Sequence, residues 1–379
     1  MLDINRYRLP GFEKRFSRQP RNKALLVVLQ TQGRGKTYLE ESLQEMQELT
    51  SSSSIQVLDT LTGQVPQPSP KYFIREGKLS EVHAQAQKLK ANVLIFNVDL
   101  TAGQMGNIEA FTKVPVMDRT GLILEIFARR AQSKEGKLQV ELAQLDYALP
   151  RIGGLGGVMS RLGGGIGGRG PGEQELERDR RKVRQRIRQV KLEIEKVRKH
   201  RELIRLGRKR KNFTTVALVG YTNAGKSTLL NALTAGGSGV EDKMFATLDP
   251  LTRAESIHGG GGRPTILFID TVGFLRDLPH SLVEAFHATL EEVAEADALI
   301  HVLDASSPKA REFKKAVEKV LEEIKADAKP GLLALNKADL LTGEERAHAE
   351  REWPEGVLIS AREKSGLKSL LARIKSVVV

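Results

Sequence analysis

Four short motifs in the C-terminal half carry residue types that handle a nucleoside triphosphate. The run Gly220-Tyr221-Thr222-Asn223-Ala224-Gly225-Lys226-Ser227 fits the pattern G-x-x-x-x-G-K-S. In that pattern glycines let the backbone wrap phosphates, while amides and a helix N-terminus face the negative charge. Lys226 is expected to reach the β- and γ-phosphates and Ser227 to coordinate Mg2+. Thr228 is counted with the same phosphate-binding set. Asp270-Thr271-Val272-Gly273 supplies an acid suited to an outer Mg2+ contact and a glycine whose amide can approach the γ-phosphate. In Asn336-Lys337-Ala338-Asp339, the carboxylate can accept from N1–H and the 2-amino group of guanine, with Lys337 along the base plane. Adenine offers neither donor, and an acceptor left unpaired is penalised. Ser360-Ala361 offers a backbone amide to the guanine carbonyl. Each short motif alone fits any polar strand end. Four in order, each ending its expected strand, select GTP and GDP as substrate and product.

The elements that must position these residues can be read from hydrophobic patterning. Apolar strands are predicted at 215–219, 265–269, 298–303, 332–335 and 357–359, with helices at 226–233, 281–293, 309–324, 344–351 and 367–374. The repeat makes residues 212–379 a doubly wound P-loop domain whose ligands sit at the carboxyl ends of the strands. Upstream, strands at 24–29, 55–58, 93–98 and 114–117 alternate with helices at 38–49 and 79–89. A break at Ser51–Ser54 and a Pro-rich loop at Gly63–Pro70 separate them. This predicts a small α/β domain over 24–128 behind a loose basic tail, 1–23, in which Asp3 and Glu13 count against a transit peptide.

Between the two α/β domains, residues 129–211 read as a helical antiparallel coiled-coil hairpin. Leu138, Leu142, Leu145, Leu149 and Ile152 form one 4-3 seam; Val183, Ile187, Val190, Ile194 and Val197 form the other, continued by Ile204. The intervening tip, 153–172, has glycine at eleven of twenty positions, which no helix tolerates. Arg151, Arg161 and Arg169 are spaced through or beside it, so the tip fits either a plain linker or a narrow phosphate-lined site. The chain carries a net charge of +13, and residues 178–211 alone hold seventeen Lys/Arg against four acids. The basic excess is therefore confined to one helix. That is the footprint of a nucleic-acid partner, against the plainer alternative of a solvated basic face.

Other chemistry is excluded or unsupported. The chain has no cysteine, so disulfides, thiolate catalysis and cysteine-held metals are ruled out. No apolar run approaches the roughly 20 residues of a membrane span, and no secretory h-region is present. These features fit the cytoplasm. The seven histidines show no ligand spacing; His258 reads as part of a hairpin-like turn and Trp353 as packing. Gln30-Thr31-Gln32-Gly33-Arg34-Gly35-Lys36-Thr37 ends like a P-loop but starts with Gln30. It reads as a basic strand-to-helix loop, with a degenerate nucleotide or RNA-phosphate contact as the alternative.

The motifs resemble those of the translation-factor-related GTPases, and more closely the HflX family. Phe245-Ala246-Thr247-Leu248-Asp249-Pro250 is similar to the first switch of the Obg–HflX group, and Asp270–Leu275 with Leu278-Pro279 to the HflX second switch. Asp118–Ala128, Gly136–Leu145 and Gly170–Glu173 also resemble HflX sequences. By this resemblance Phe245, Ala246 and Thr247 join the nucleotide site, Thr247 being the switch threonine that binds Mg2+, with Thr252 as the rival. The resemblance further implies a ribosome-associated GTPase that binds the large ribosomal subunit and its RNA, its glycine-rich hairpin tip pointing into the peptidyl-transferase region. Many members carry a further domain after the GTPase domain, whereas the last predicted helix here runs to the end of the chain.

Ras-type enzymes orient the attacking water with a glutamine after D-x-x-G. Phe274 holds that place here, so slow intrinsic hydrolysis is expected. The ribosome or a K+ ion held by Asn223 near the phosphates would supply what is missing; the alternative is that Asn223 merely caps the turn. The catalytic set expected is thus Lys226, Thr247, Gly273 and Asn223. Three functions compete. They are a GTP-switched ribosome factor, monomeric when free and without a DNA partner, a GTPase component of an RNA-modification complex, and a coiled-coil scaffold with a vestigial site.

Overall fold

A computed structural model describes residues 23–32, 35, 38–53, 55–153, 171–210, 213–234, 250–256, 265–274 and 287–378. The basic tail, most of the Gln30–Thr37 loop, residues 154–170 of the glycine-rich tip, Phe245 to Thr247, the Leu275–Pro279 stretch, the His258 turn and the start of the 281–293 helix lie outside the described residues. The chain divides into two compact units, Met1–Arg129 with Lys137–Glu193 and Arg130–Gly136 with Ile194–Val379.

In the first unit the strands are β1 (Lys23–Thr31), β2 (Gln56–Val65), β3 (Val93–Phe96) and β4 (Val116–Met117), all parallel, in the order β2-β1-β3-β4. Leu25, Val27, Leu29, Leu94 and Phe96 pack with Leu79 and Val82 of α2 (Glu76–Leu89) and with Met105 and Ile108 of α3 (Ala102–Thr112). Helix α1 (Tyr38–Ser52) runs into the expected serine break, where Ser51 and Ser52 donate back to the Glu48 carbonyl. Two expectations need correction. The short second strand is ten residues long and absorbs the start of the Gly63–Pro70 loop. As an edge strand of mixed polarity, half exposed along its length, it lacks the apolar run that marks its neighbours. Helix α3 was not foreseen, although the Thr101–Gln104 capping box announces it: Thr101 Oγ1 accepts from the Gln104 amide and Gln104 Oε1 accepts from the Thr101 amide.

Helices α4 (Arg119–Arg130) and α5 (Lys134–Ala148) follow, then a 3-10 turn, Leu149–Gly153, and the forty-residue α6 (Pro171–Arg210), about 60 Å at 1.5 Å per residue. Leu138, Leu142 and Leu145 are buried, as are Val183, Ile187 and Val190. Leu149 and Ile152 leave the helical seam for the 3-10 turn. Gln139, Glu141 and Gln144 are buried as well, so α5 is enclosed beyond the width of a two-helix seam.

The second unit contains a six-stranded sheet, order β10-β9-β8-β5-β7-β6. The strands are β5 (Thr214–Val219), β6 (Leu251–Ser256), β7 (Thr265–Asp270), β8 (Ala298–Asp304), β9 (Gly331–Asn336) and β10 (Val357–Leu358). All pairings are parallel except that of β6 with β7. Strand β6 was missed because Leu-Thr-Arg-Ala-Glu-Ser reads as polar; antiparallel pairing with β7 holds it at the sheet edge.

Helices cover both faces, as a doubly wound sheet requires. Val216, Leu218, Ile300 and Val302 point toward Leu229 and Leu230 of α7 (Lys226–Leu233) and Leu370 of α11 (Leu367–Val378). Their neighbours Ala217, Val219 and Leu299 pack on Val293 of α8 (His287–Glu295) and on Val317 and Leu321 of α9 (Ala310–Glu323). Helix α10 (Gly343–Glu352) ends at Trp353, which packs with Leu303 and Leu335 as expected.

Candidate functional site

Strand β5 lies between β7 and β8, so its carboxyl end opens where the sheet reverses winding direction, the place for a ligand in this fold. The glycine-rich loop leaves there. A Cβ on Gly220 would stand 2.3 Å from the Val302 carbonyl oxygen, and one on Gly225 (φ 93°) 2.2 Å from Asn336 Nδ2. Only glycine fits both places. Asn223 adopts φ 61° and its side chain is exposed. Asparagine tolerates that left-handed backbone better than most residues. Ala224 is buried, and the Tyr221 ring stacks on Phe313 of α9 at 4.0 Å and 11°.

Lys226 and Ser227 open α7 with their heads at the loop. The Lys226 ammonium donates to the carbonyls of Gly220 (3.0 Å) and Tyr221 (2.8 Å). Burial pulls its pKa down to about 8, against the opposing pull of Asp270. Thr228 lies half-buried one residue further along the helix. Ser227 Oγ donates to Asp270 Oδ2 at 2.6 Å. Asp270 is fully buried at the end of β7. A hydroxyl and a carboxylate at this spacing form a hard-oxygen pair that suits Mg2+, an ion that takes few protein ligands and completes its shell with water and phosphate oxygens. The described residues hold no cluster of three or more His, Cys, Asp or Glu that would favour another ion.

Past Asp270, Thr271 Oγ1 donates to the Leu218 carbonyl at 2.6 Å, Val272 is buried, and Gly273 lies against the loop. A Cβ on Gly273 would stand 2.7 Å from Thr222 Cα and 3.0 Å from Lys226 Nζ. The Thr222 amide donates to the Phe274 carbonyl (2.8 Å) and the Phe274 amide to the Gly220 carbonyl (3.1 Å). The Phe274 ring is buried among Val219, Ile269 and Val293.

The residues expected to recognise the base gather at the ends of β9 and β10. Asn336 Nδ2 donates to the Ala224 carbonyl at 2.8 Å, and its Oδ1 accepts from the Ala361 amide at 3.0 Å. The Ser360 amide donates to the Ser365 carbonyl at 3.1 Å. Lys337 adopts φ 65° and pairs with Asp304 at 2.7 Å. Ala338 and Asp339 form a 3-10 turn; Asp339 Oδ1 accepts from Ser360 Oγ at 2.6 Å. All the described members of the expected site therefore lie along one edge of one sheet. Thr252 lies on β6 opposite Ile269.

Two features were not foreseen. His301 of β8 is half-buried, its Nε2 enclosed with no partner among the described residues; desolvation first, then Lys314 and Lys226, lowers its pKa to about 3, so it is neutral. Arg151, grouped in sequence with the arginines of the tip, is committed inside the first unit. It bonds Asp118 Oδ2 (3.1 Å) and the carbonyls of Tyr147 and Leu100, and stacks on the Tyr147 ring at 3.6 Å.

The basic helix is also partly committed. Arg186 makes a two-pronged pair with Glu141 (2.6 and 2.8 Å). Arg201 contacts Glu135 (2.7 Å) and Glu291 (2.9 Å), and Arg198 contacts Glu291 (3.2 Å). Arg181, Arg184 and Arg188 stay exposed. No described helix is long and apolar enough to cross a membrane.

Comparison with known proteins agrees with this geometry. Three family models match: GTP-binding GTPase N-terminal over residues 40–128, GTP-binding GTPase Middle Region over 130–208, and 50S ribosome-binding GTPase over 215–337. The chain is 48% identical over 340 residues to the GTPase HflX of Caldanaerobacter subterraneus, covering 89% of this chain and 77% of that one. It is 46% identical over 332 residues to the GTPase HflX of Escherichia coli, covering 87% and 77%. Among solved structures, SsGBP in complex with GDP superposes with a TM-score of 0.54 at 28% identity, covering 95% of this chain and 98% of that one.

Proposed function

Because the chain belongs to the HflX family of GTPases, a GTP-hydrolysing enzyme with a P-loop domain, we propose that it is a GTP-switched factor of the large ribosomal subunit. In this reading GTP orders the switches, the basic helix then engages ribosomal RNA, and hydrolysis releases it, dissociating or rescuing the ribosome. The observation that carries it is the exposed arginine row Arg181, Arg184 and Arg188 on a helix that leads in the same chain to a P-loop GTPase domain. The name of the matching GTPase model, 50S ribosome-binding GTPase, supports the choice of subunit. The free chain is monomeric and cytoplasmic on this proposal.

Sedimentation through a sucrose gradient tests it. Comigration with the large subunit is expected with a non-hydrolysable GTP analogue and not with GDP. Comigration with neither subunit in any state would reject the proposal in favour of an RNA-modification partner. Reversing the charges of Arg181, Arg184 and Arg188 should weaken ribosome binding and flatten its salt dependence by roughly one unit of logarithmic slope per lost phosphate contact. An unaltered slope would show that this row does not meet phosphate.

Ser227 and Asp270 would hold Mg2+, joined by Thr247 on the resemblance of the first switch. Bound there, the ion neutralises charge on the β- and γ-phosphates. Asn223 is the proposed K+ ligand. Its exposed side chain makes no hydrogen bond among the described residues, which fits a ligand better than a turn cap. Turnover should therefore fall when KCl is replaced by NaCl at constant ionic strength, and equal turnover would remove K+ from the mechanism.

A further inference from the structure

Phe274 leaves the reaction without the side chain that would order water, and the structure shows why it cannot be recruited. Its ring is buried in the core between β7 and α8, and its backbone is clamped at both ends to the phosphate loop. Among the described residues, the polar groups that remain around the phosphate position are few. Ser227 is engaged with Asp270, Thr271 with the Leu218 carbonyl, and Asn336 with Ala224 and Ala361. The Asn223 side chain is exposed rather than enclosed.

Thr222 differs from all of these. It is 7% exposed, and its Oγ1 is buried without a hydrogen-bond partner among the described residues. A buried hydroxyl left unmade is costly, so one that persists in a ligand site calls for a partner that arrives with the ligand. Its surroundings identify that partner. The Thr222 backbone and methyl lie 2.7 and 2.9 Å from where a Gly273 Cβ would stand, and Lys226 Nζ lies 3.0 Å from the same point. The threonine, the second-switch glycine and the phosphate-reading lysine therefore converge on one small volume, the place of the γ-phosphate in a loop of this pattern.

We propose that the Thr222 hydroxyl orients the attacking water in GTP hydrolysis, accepting a hydrogen bond from that water and donating one to a γ-phosphate oxygen while keeping its proton. A threonine hydroxyl is far too weak a base to take the proton. The water oxygen forms the new bond to the γ-phosphorus, and the bond to the β–γ bridging oxygen breaks with its electron pair leaving on GDP. The water proton passes to the phosphate produced. Thr222 would thus be a catalytic residue that supplies order rather than charge, complementing any cation held nearby.

The test is single-turnover hydrolysis by the full chain without ribosomes, so that its outcome is independent of the proposed partner. Thr222→Val keeps the shape and removes the hydroxyl. It should hydrolyse GTP on the order of 10- to 100-fold more slowly, bind GDP within about twofold of the parent, and fail to capture GDP with aluminium fluoride. Thr222→Ser, which restores the hydroxyl, should recover most of the rate and the capture. Equal rates for the parent and Thr222→Val would overturn the proposal. So would a serine variant as slow as the valine one, because the defect would then follow the altered side-chain packing and not the hydroxyl.

Discussion

A Lys226→Ala chain is expected to lose at least about a hundredfold in affinity for both GTP and GDP, measured by titration with fluorescent nucleotide. The side chain is buried with its ammonium on two loop carbonyls, at the place where the pattern puts phosphate. Hydrogen bonds to a charged group contribute about 1.5–3 kcal/mol each, and loss of contacts to two phosphates therefore reaches roughly 3 kcal/mol or more. Undiminished affinity would reject the phosphate role.

A second readout separates this loss from unfolding. The folded-state pKa of Lys226 is about 8, below the ordinary lysine value of 10.5, so the unfolded chain holds the proton more tightly. The buried charge opposes folding in full below about pH 8, and that penalty fades as pH rises toward 10.5. At neutral pH the alanine variant should therefore melt no lower than the parent when both are free of nucleotide, while losing the upward shift that GDP gives the parent. In the parent, nucleotide affinity should decline as pH rises through about 8, because the lysine must then gain a proton on binding.

The second large effect concerns the base. Asp339→Asn should weaken GTP binding by roughly 10²–10⁴-fold and raise the affinity for xanthosine triphosphate. Asp339 already accepts from Ser360 through Oδ1, which ties the carboxylate to the loop after β10. An amide in its place would keep one acceptor for N1–H and turn a donor toward the 2-position, where guanine has an amino group and xanthine a carbonyl. Competition of the two triphosphates against fluorescent GDP reads the change directly. A variant that still preferred guanine would remove Asp339 from base recognition.

The placement of the expected nucleotide residues at strand ends was legible because they are held by local rules. Gly220, Gly225, Lys226 and Ser227 are fixed by one turn of chain between a strand and a helix, and Asp270, Asn336 and Ser360 each end an apolar or near-apolar run. What escaped notice depends on residues far apart in the chain. The commitment of Arg151 rests on Asp118, thirty-three positions away, and that of Arg186 on Glu141, forty-five away. The full length of edge strand β2 and the whole of β6 escaped because half-exposed strands can be polar along most of their length. The Thr222 hydroxyl was counted only as one position of a phosphate loop, since burial without a partner has no signature in residue type.

Asn336 joins the phosphate loop to the base loop with a single amide group, donating to Ala224 and accepting from Ala361. The two halves of the pocket are thereby set at a fixed gauge, like the jaws of a calliper locked before the object is offered. A nucleotide of matching span enters with little left to arrange, and one whose phosphate chain sits too near or too far from its base must spread or close both jaws together.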